Sequence, residues 1–196
     1  MKILNLYAGI GGNRKLWPKE CQVTAIENKP DIEKVYKNFF PKDKIIITDA
    51  HKYLLEHHKE YDFIWASPPC QTHSQCNNFL KGQGIIRYPD MKLYEEIILL
   101  QTHAKCKWVV ENVKSYYEPL IKPQEVGRHY FWANFHISPI KVKHDIGTMN
   151  RQASKKAQKK ATQNQTQRNC VLPEIGLHVL NCAFKGKQTT LEAGKK

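Results

Sequence analysis

The stretch Ile3-Leu4-Asn5-Leu6-Tyr7-Ala8-Gly9-Ile10-Gly11-Gly12-Asn13 sets the reading of this chain: a β-rich apolar run breaks directly into a glycine-rich turn. Glycine lets the backbone come close to a bound ligand, and a strand that ends in such a turn is a common start to an alternating β/α chain. The turn lacks a complete GxGxxG, so a plain tight turn is the competing reading. Arg14-Lys15-Leu16-Trp17 then reads as a short helical stretch stopped by Pro18.

Moving outward, apolar runs recur at residues 23–27, 45–48, 63–66 and 108–110. Between them lie patterns of helical period. Ile32, Val35, Tyr36 and Phe39 share one face over residues 31–39, with Asp31 near the start. Leu93, Ile97, Leu100 and Ala104 do the same over residues 90–105, and the unbroken Ile97-Ile98-Leu99-Leu100 predicts a helix packed deeply on a sheet. This alternation predicts an α/β, doubly wound (Rossmann-like) fold with a mainly parallel sheet flanked by helices. In such folds ligands bind at the carboxyl ends of the strands.

The residues with chemical potential fall at those ends. Ala66-Ser67-Pro68-Pro69-Cys70-Gln71 places a thiol on a stiff Pro-Pro step directly after an apolar run. Trp108-Val109-Val110 leads into Glu111-Asn112-Val113, which delivers a carboxylate and an amide at a comparable strand end. A thiol and a carboxylate suit covalent chemistry on a ring that needs a nucleophile and a proton partner. Glu27 closes the second run, where acidic residues hold ribose hydroxyls, and Asp49 follows the third, where a carboxylate accepts from an adenine amino group or caps the next helix. With the glycine turn they suit an adenosine ligand without a pyrophosphate.

Composition bounds the rest. The 196 residues, 41% of them hydrophobic, fit one core, and no apolar run approaches a membrane span. Residues 1–7 read as a first strand, not a signal peptide. Six cysteines without CxxC spacing indicate neither a zinc cluster nor a disulfide framework, and a reducing cytoplasm is the expected compartment. With 31 Lys+Arg against 18 Asp+Glu the formal charge is +13, a balance that attracts polyanions. Arg151, Lys155, Lys156, Lys159, Lys160 and Arg168 lie in a segment without acidic residues, the expected element for tracking a nucleic-acid backbone, with a solvated basic linker or helix as the alternative.

The ordered set of residues 6–12, Glu27, Asp49, Ser67-Pro68-Pro69-Cys70-Gln71 and Glu111-Asn112-Val113 resembles the DNA cytosine-5 methyltransferases, over residues 3–135. Tyr130-Phe131-Trp132-Ala133-Asn134 resembles a segment of that family's de novo class, and Asn38-Phe39-Phe40-Pro41 is similar to its segment after the ribose-binding acid. The resemblance implies the methyltransferase sheet and S-adenosylmethionine as donor, with Tyr7, Ala8, Gly9, Gly11, Gly12, Glu27, Asp49 and Pro69 around it. It implies that Cys70 adds to C6 of a cytosine while Glu111 contacts N3 and the exocyclic amine. Gln71, Ser74, Asn112 and Arg128 then belong to the substrate side, on a base flipped out of double-stranded DNA, and Lys155, Lys156, Lys159 and Lys160 to the phosphates.

The chain also departs from the family. Little room remains for a target-recognition region, and Gln124-Glu125-Val126-Gly127-Arg128-His129 only partly matches the family's Gln-x-Arg-x-Arg. No closing Gly-Asn element is visible, although a helix from Pro173 can complete the cofactor pocket. The expected organisation is a catalytic and cofactor domain at 1–145, a basic reduced recognition segment or linker at 146–170, and a C-terminal helix with a basic tail at 171–196. Two alternatives accompany the DNA reading: an RNA cytosine methyltransferase, and a subunit that depends on a second protein for target recognition.

Overall fold

The computed structural model describes residues 1–141 and 171–184. Seven strands form one sheet: β1 (Lys2–Leu6), β2 (Gln22–Glu27), β3 (Lys44–Ile47), β4 (Phe63–Ala66), β5 (Lys107–Val113), β6 (Gln124–Val126) and β7 (His129–Ala133). Their spatial order is β3-β2-β1-β4-β5-β7-β6. β1 to β5 run parallel, while β7 lies antiparallel to both β5 and β6. Five helices complete the described chain: α1 (Pro30–Phe39), α2 (Ala50–His57), α3 (Asn77–Gly82), α4 (Lys92–His103) and α5 (Pro173–Phe184). This is an α/β fold with a mainly parallel sheet flanked by helices, as the alternation of patterns predicts.

Strand alternation divides the core into two layers. Ile3, Val23, Phe63, Trp65, Val109 and Phe131 point to the face covered by Trp17 and by Ile175, Val179 and Leu180 of α5. Leu4, Leu6, Ile26, Ile64, Val110 and Trp132 point to the other, covered by Leu54 of α2 and by Leu93, Ile97 and Leu100 of α4. The parallel register aligns Leu6 with both Ile26 and Ala66, and Ala66 with Val110. Tyr7, Glu27, Ser67 and Glu111, each one residue further on, therefore stand in a row along the carboxyl edge.

Several sequence expectations are corrected. Residues 14–17 form successive turns, not a helix, because Arg14 folds inward: its Nε meets Asp43 Oδ2 at 3.0 Å and its Nη1 donates to the Trp17 carbonyl at 3.1 Å. In α1 the predicted stripe does not become core. Tyr36 alone is buried there, its hydroxyl donating to Asp43 Oδ2 at 3.0 Å, while Val35 and Phe39 stay exposed. β5 continues through Glu111-Asn112-Val113, since its partner β7 carries the ladder past Val110. Neither β7 nor the three-residue β6 shows the strict alternation that marks a strand in sequence, and α2 and α3 are too short to announce themselves. Cys21 is buried as a small hydrophobe is expected to be, whereas Cys106 and Cys182 are only partly covered.

α5 closes over the glycine turn at a point where only glycine fits. A Cβ at Gly176 would lie 2.1 Å from the backbone oxygen of Asn13, and the Gly176 carbonyl accepts from Trp17 Nε1 at 3.0 Å. The helix beginning at Pro173 therefore backs the turn, as the sequence suggests it can. Among the described residues no helix is long and apolar enough to cross a membrane.

Candidate active site

The nucleophile end of the site is built by β4 and β5 together. A prolyl residue has no N–H but keeps its carbonyl, and the Pro68 carbonyl accepts from Asn112 Nδ2 at 3.0 Å. The other end of that amide accepts the Val113 N–H at 2.9 Å, so Asn112 is fixed and ties the Pro-Pro step to β5. Beyond it the Cys70 carbonyl accepts the N–H groups of His73 and Ser74, both at 3.0 Å, a turn that holds the half-buried thiol at the strand ends. Asn112 thus engages the protein backbone at both ends of its amide.

Glu111 lies beside this thiol, and period two explains how. Trp65 and Ser67 on the β4 side, Val109 and Glu111 on β5, and His129 and Phe131 on β7 share one sheet face, so the site continues a core row outward. Ser67 Oγ accepts from Trp65 Nε1 at 2.8 Å, and an indole N–H only donates. The hydroxyl hydrogen is thereby free for the Glu111 carboxyl, to which Ser67 hydrogen-bonds. Burial pushes the Glu111 carboxyl up to about 7, against the opposing effects of the Ser67 bond and the Arg128 charge. Burial also raises the Cys70 thiol, the Glu111 carboxylate raises it further, and Arg128 works the other way. Two acids are thus coupled: ionising one disfavours ionising the other.

The cofactor side is held with similar economy. Tyr7, Gly9 and Gly11 have φ of +56°, +52° and +78°, the left-handed region where a non-glycine residue is uncommon. A Cβ at Gly11 would meet Phe40 Cε2 at 2.3 Å, whereas at Gly9 it would meet nothing within 4 Å, so the turn is packed behind and open in front. Glu27 Oε2 accepts the Gly9 N–H at 3.0 Å, and Oε1 accepts those of Asn28 and Lys29 at 3.0 and 3.2 Å. Each carboxylate oxygen keeps acceptor capacity for ribose hydroxyls. Asp49 Oδ1 caps α2 by accepting the Lys52 N–H at 2.8 Å, so the capping alternative is the one realised, and its second oxygen remains for an adenine amine. Open space before the turn, together with these carboxylates, fits an adenosyl group.

Sequence reading missed what holds the turn. Asn13 Nδ2 donates to Asn5 Oδ1 at 2.8 Å, and Asn5 Nδ2 returns the bond at 3.4 Å, pinning the turn to β1. The Tyr7 hydroxyl donates to Glu96 Oε1, which also meets His51 Nδ1 at 3.1 Å. Glu96 is fully buried, and burial raises its carboxyl and, on the other side, the Tyr7 phenol. Nothing in the α4 pattern marks it, since it sits between apolar neighbours of the same face. Glu96→Ala would leave the Tyr7 hydroxyl without its acceptor, costing about 1–3 kcal/mol. Titration calorimetry with S-adenosylmethionine should show roughly tenfold weaker binding, because the strained Tyr7 backbone is no longer held.

The remaining predicted positions divide. Pro69 and Gln71 are exposed next to Cys70; the Gln71 carbonyl accepts from Asn77 Nδ2 at 3.0 Å. Ser74 Oγ accepts the Cys76 N–H at 3.2 Å and the residue bridges to Ser115. Arg128 sits exposed on the β6–β7 turn, close enough for its charge to act on both Cys70 and Glu111. Ala8 is buried within the glycine turn, and Gly12 opens the turns that lead to Arg14. Lys155, Lys156, Lys159 and Lys160 lie outside the described residues.

Comparison with known proteins bears on the family. The family model described as C-5 cytosine-specific DNA methylase matches residues 1–120. No curated protein gives a match to the chain. Among solved structures, a DNMT2 mutant of Spodoptera frugiperda is 24% identical at a TM-score of 0.39, covering 58% of this chain and 35% of its own. A SAM-dependent methyltransferase of Agrobacterium tumefaciens is 14% identical at 0.41, covering 60% and 40%. A hypothetical protein of Thermus thermophilus is 15% identical at 0.43, covering 67% and 73%. The model spans most of the chain and takes in the glycine turn, Cys70 and Glu111 alike, and with it comes S-adenosylmethionine as methyl donor: the chain belongs to the C-5 cytosine-specific DNA methylase family.

Proposed function

We propose that this chain methylates C5 of a cytosine flipped out of double-stranded DNA, through a covalent adduct with Cys70. The observation that carries the reading is the buried Glu111 carboxyl, pushed up to about 7, beside the Cys70 thiol at aligned strand ends. A carboxyl that still holds its proton near neutrality can share it with ring N3 while the thiolate forms a bond to C6. The electron pair released by that addition collects at C5. S-adenosylmethionine, when bound by the glycine turn, Glu27 and Asp49, supplies the electrophilic methyl group. Transfer of the C5 proton to water then expels the Cys70 thiolate, breaking the C6–S bond, and the N3 proton returns to Glu111, restoring the ring with S-adenosylhomocysteine as the other product.

A flipped base leaves a gap in the stack that costs a few kcal/mol. Phe79, Ile85, Ile86 and Tyr88 follow the nucleophile and stand out from the surface, Ile86 and Tyr88 at 80% and 82% exposure, interleaved with Lys81 and Arg87. Apolar side chains among cations are suited to enter a duplex at such a gap. The segment that carries them, α3 and the loop after it, is tethered near the thiol: the Asp90 N–H donates to Thr72 Oγ1 at 3.0 Å, and Tyr116 Oη donates to the Arg87 carbonyl at 2.8 Å.

The test is transfer of labelled methyl to mixed-sequence duplex DNA, followed by mapping of modified cytosines at base resolution. Transfer to tRNA but not duplex DNA would replace the DNA reading with the RNA one. Transfer only when a second protein is added would identify a partner-dependent subunit. Replacing Lys155, Lys156, Lys159 and Lys160 together by alanine should weaken DNA binding alike on all sequences and reduce the slope of log K against log salt by up to roughly 3–4, measured by fluorescence anisotropy.

A further inference from the structure

Arg128 is the residue of the β6–β7 region that sequence reading assigns to the substrate side, yet its neighbour is the one that turns inward. His129 opens β7 opposite Val113 of β5, which puts its side chain on the Glu111 face, one diagonal step away. His129 Nε2 lies 3.7 Å from Glu111 Oε1, and the two side chains are only 5% and 8% exposed. The imidazole is packed against Phe131, centroid to centroid 6.3 Å at 71°. Groups from three elements thus face Glu111: Ser67 and Cys70 after β4, Arg128 on the β6–β7 turn, and His129 on β7.

We propose that His129 is a positioning residue for Glu111: it holds Oε1 from the β7 side while Ser67 holds the carboxyl from the β4 side, fixing where the carboxyl proton sits. Its importance for catalysis rests on the cytosine reading above; its effect on Glu111 does not. At 3.7 Å the pair is at ion-pair distance, and a cationic ring or a donor that closes this gap makes a carboxyl ionise more readily. The apolar setting that pushes the Glu111 midpoint up is therefore partly offset by His129, and the carboxyl is kept poised near neutrality.

The test uses the full chain without substrate. With 13C-labelled glutamate, assigned through Glu111→Gln, the Glu111 carboxyl carbon is followed against pH. His129→Phe, which keeps a ring but no donor, should raise the midpoint by about one pH unit, a tenfold change in proton affinity. His129→Gln, whose amide reaches a similar point, should restore most of it. An unmoved midpoint in folded His129→Phe would overturn the inference. A measurement on the wild type guards against failure to fold: the 15N signal of the His129 ring should show an inflection at the Glu111 midpoint that Glu111→Gln abolishes, and absence of that inflection also overturns it. A pH–rate profile then separates the two claims. If the NMR coupling is present but no cytosine is methylated, the function reading fails and the His129 inference stands.

Discussion

Cys70→Ser is expected to lose methyl transfer by at least roughly ten-thousandfold while still binding S-adenosylmethionine at the wild-type level. A serine hydroxyl keeps the size and the turn, in which the Cys70 carbonyl accepts from His73 and Ser74, so the backbone should not move. What is lost is the thiolate. Its formation is already disfavoured by burial and by Glu111, and a hydroxyl in the same place ionises far less readily. The measurement is single-turnover transfer of labelled methyl beside calorimetric cofactor affinity. Transfer by the serine variant at the wild-type rate would remove Cys70 from the mechanism.

Glu111→Gln should move activity and stability in opposite directions. Activity falls by about 10²–10⁴-fold, because the amide no longer offers an acidic proton to the ring. Stability behaves otherwise. The folded carboxyl is raised from 4.5 to about 7, so the folded state holds its proton more tightly than the unfolded chain does. That contribution is fully present below pH 4.5, falls away as the pH rises toward 7, and is gone above it, a loss on the order of 3 kcal/mol. Glutamine carries no such cost, so denaturant melts should show the variant gaining on the wild type between acid and pH 8. An equal pH slope in both proteins would contradict it. The same carboxyl gives wild-type activity an alkaline limb near pH 7, while the raised Cys70 thiol opposes it with an acid limb.

Legibility in the sequence followed the range of the interaction. Pro68-Pro69-Cys70 and Glu111-Asn112-Val113 were readable because each announces its chemistry within a few residues, and parallel register then brings them together. The two sheet layers were readable because alternation is local. Ser67 and His129 were not singled out, since their roles arise from which residues share a face across β4, β5 and β7, and a lone serine or histidine carries no sign of that. The Arg14–Asp43 pair was hidden for a similar reason. Two charges 29 residues apart in sequence meet in the interior at 3.0 Å, where residues 14–17 form turns in place of the predicted helix.

The row that joins Val109 to Glu111 makes the placing of the carboxyl beside the thiol a matter of counting. Inserting or deleting one residue within β5 ahead of Glu111 would send the carboxylate to the opposite side of the sheet, a deletion bringing Asn112 and an insertion Val110 to face the thiol. The same slip would exchange Val109 for a neighbour in the core. A frame error of this kind would cost the protein its reactivity and its packing in one step, whereas an insertion of two would preserve the parity of both.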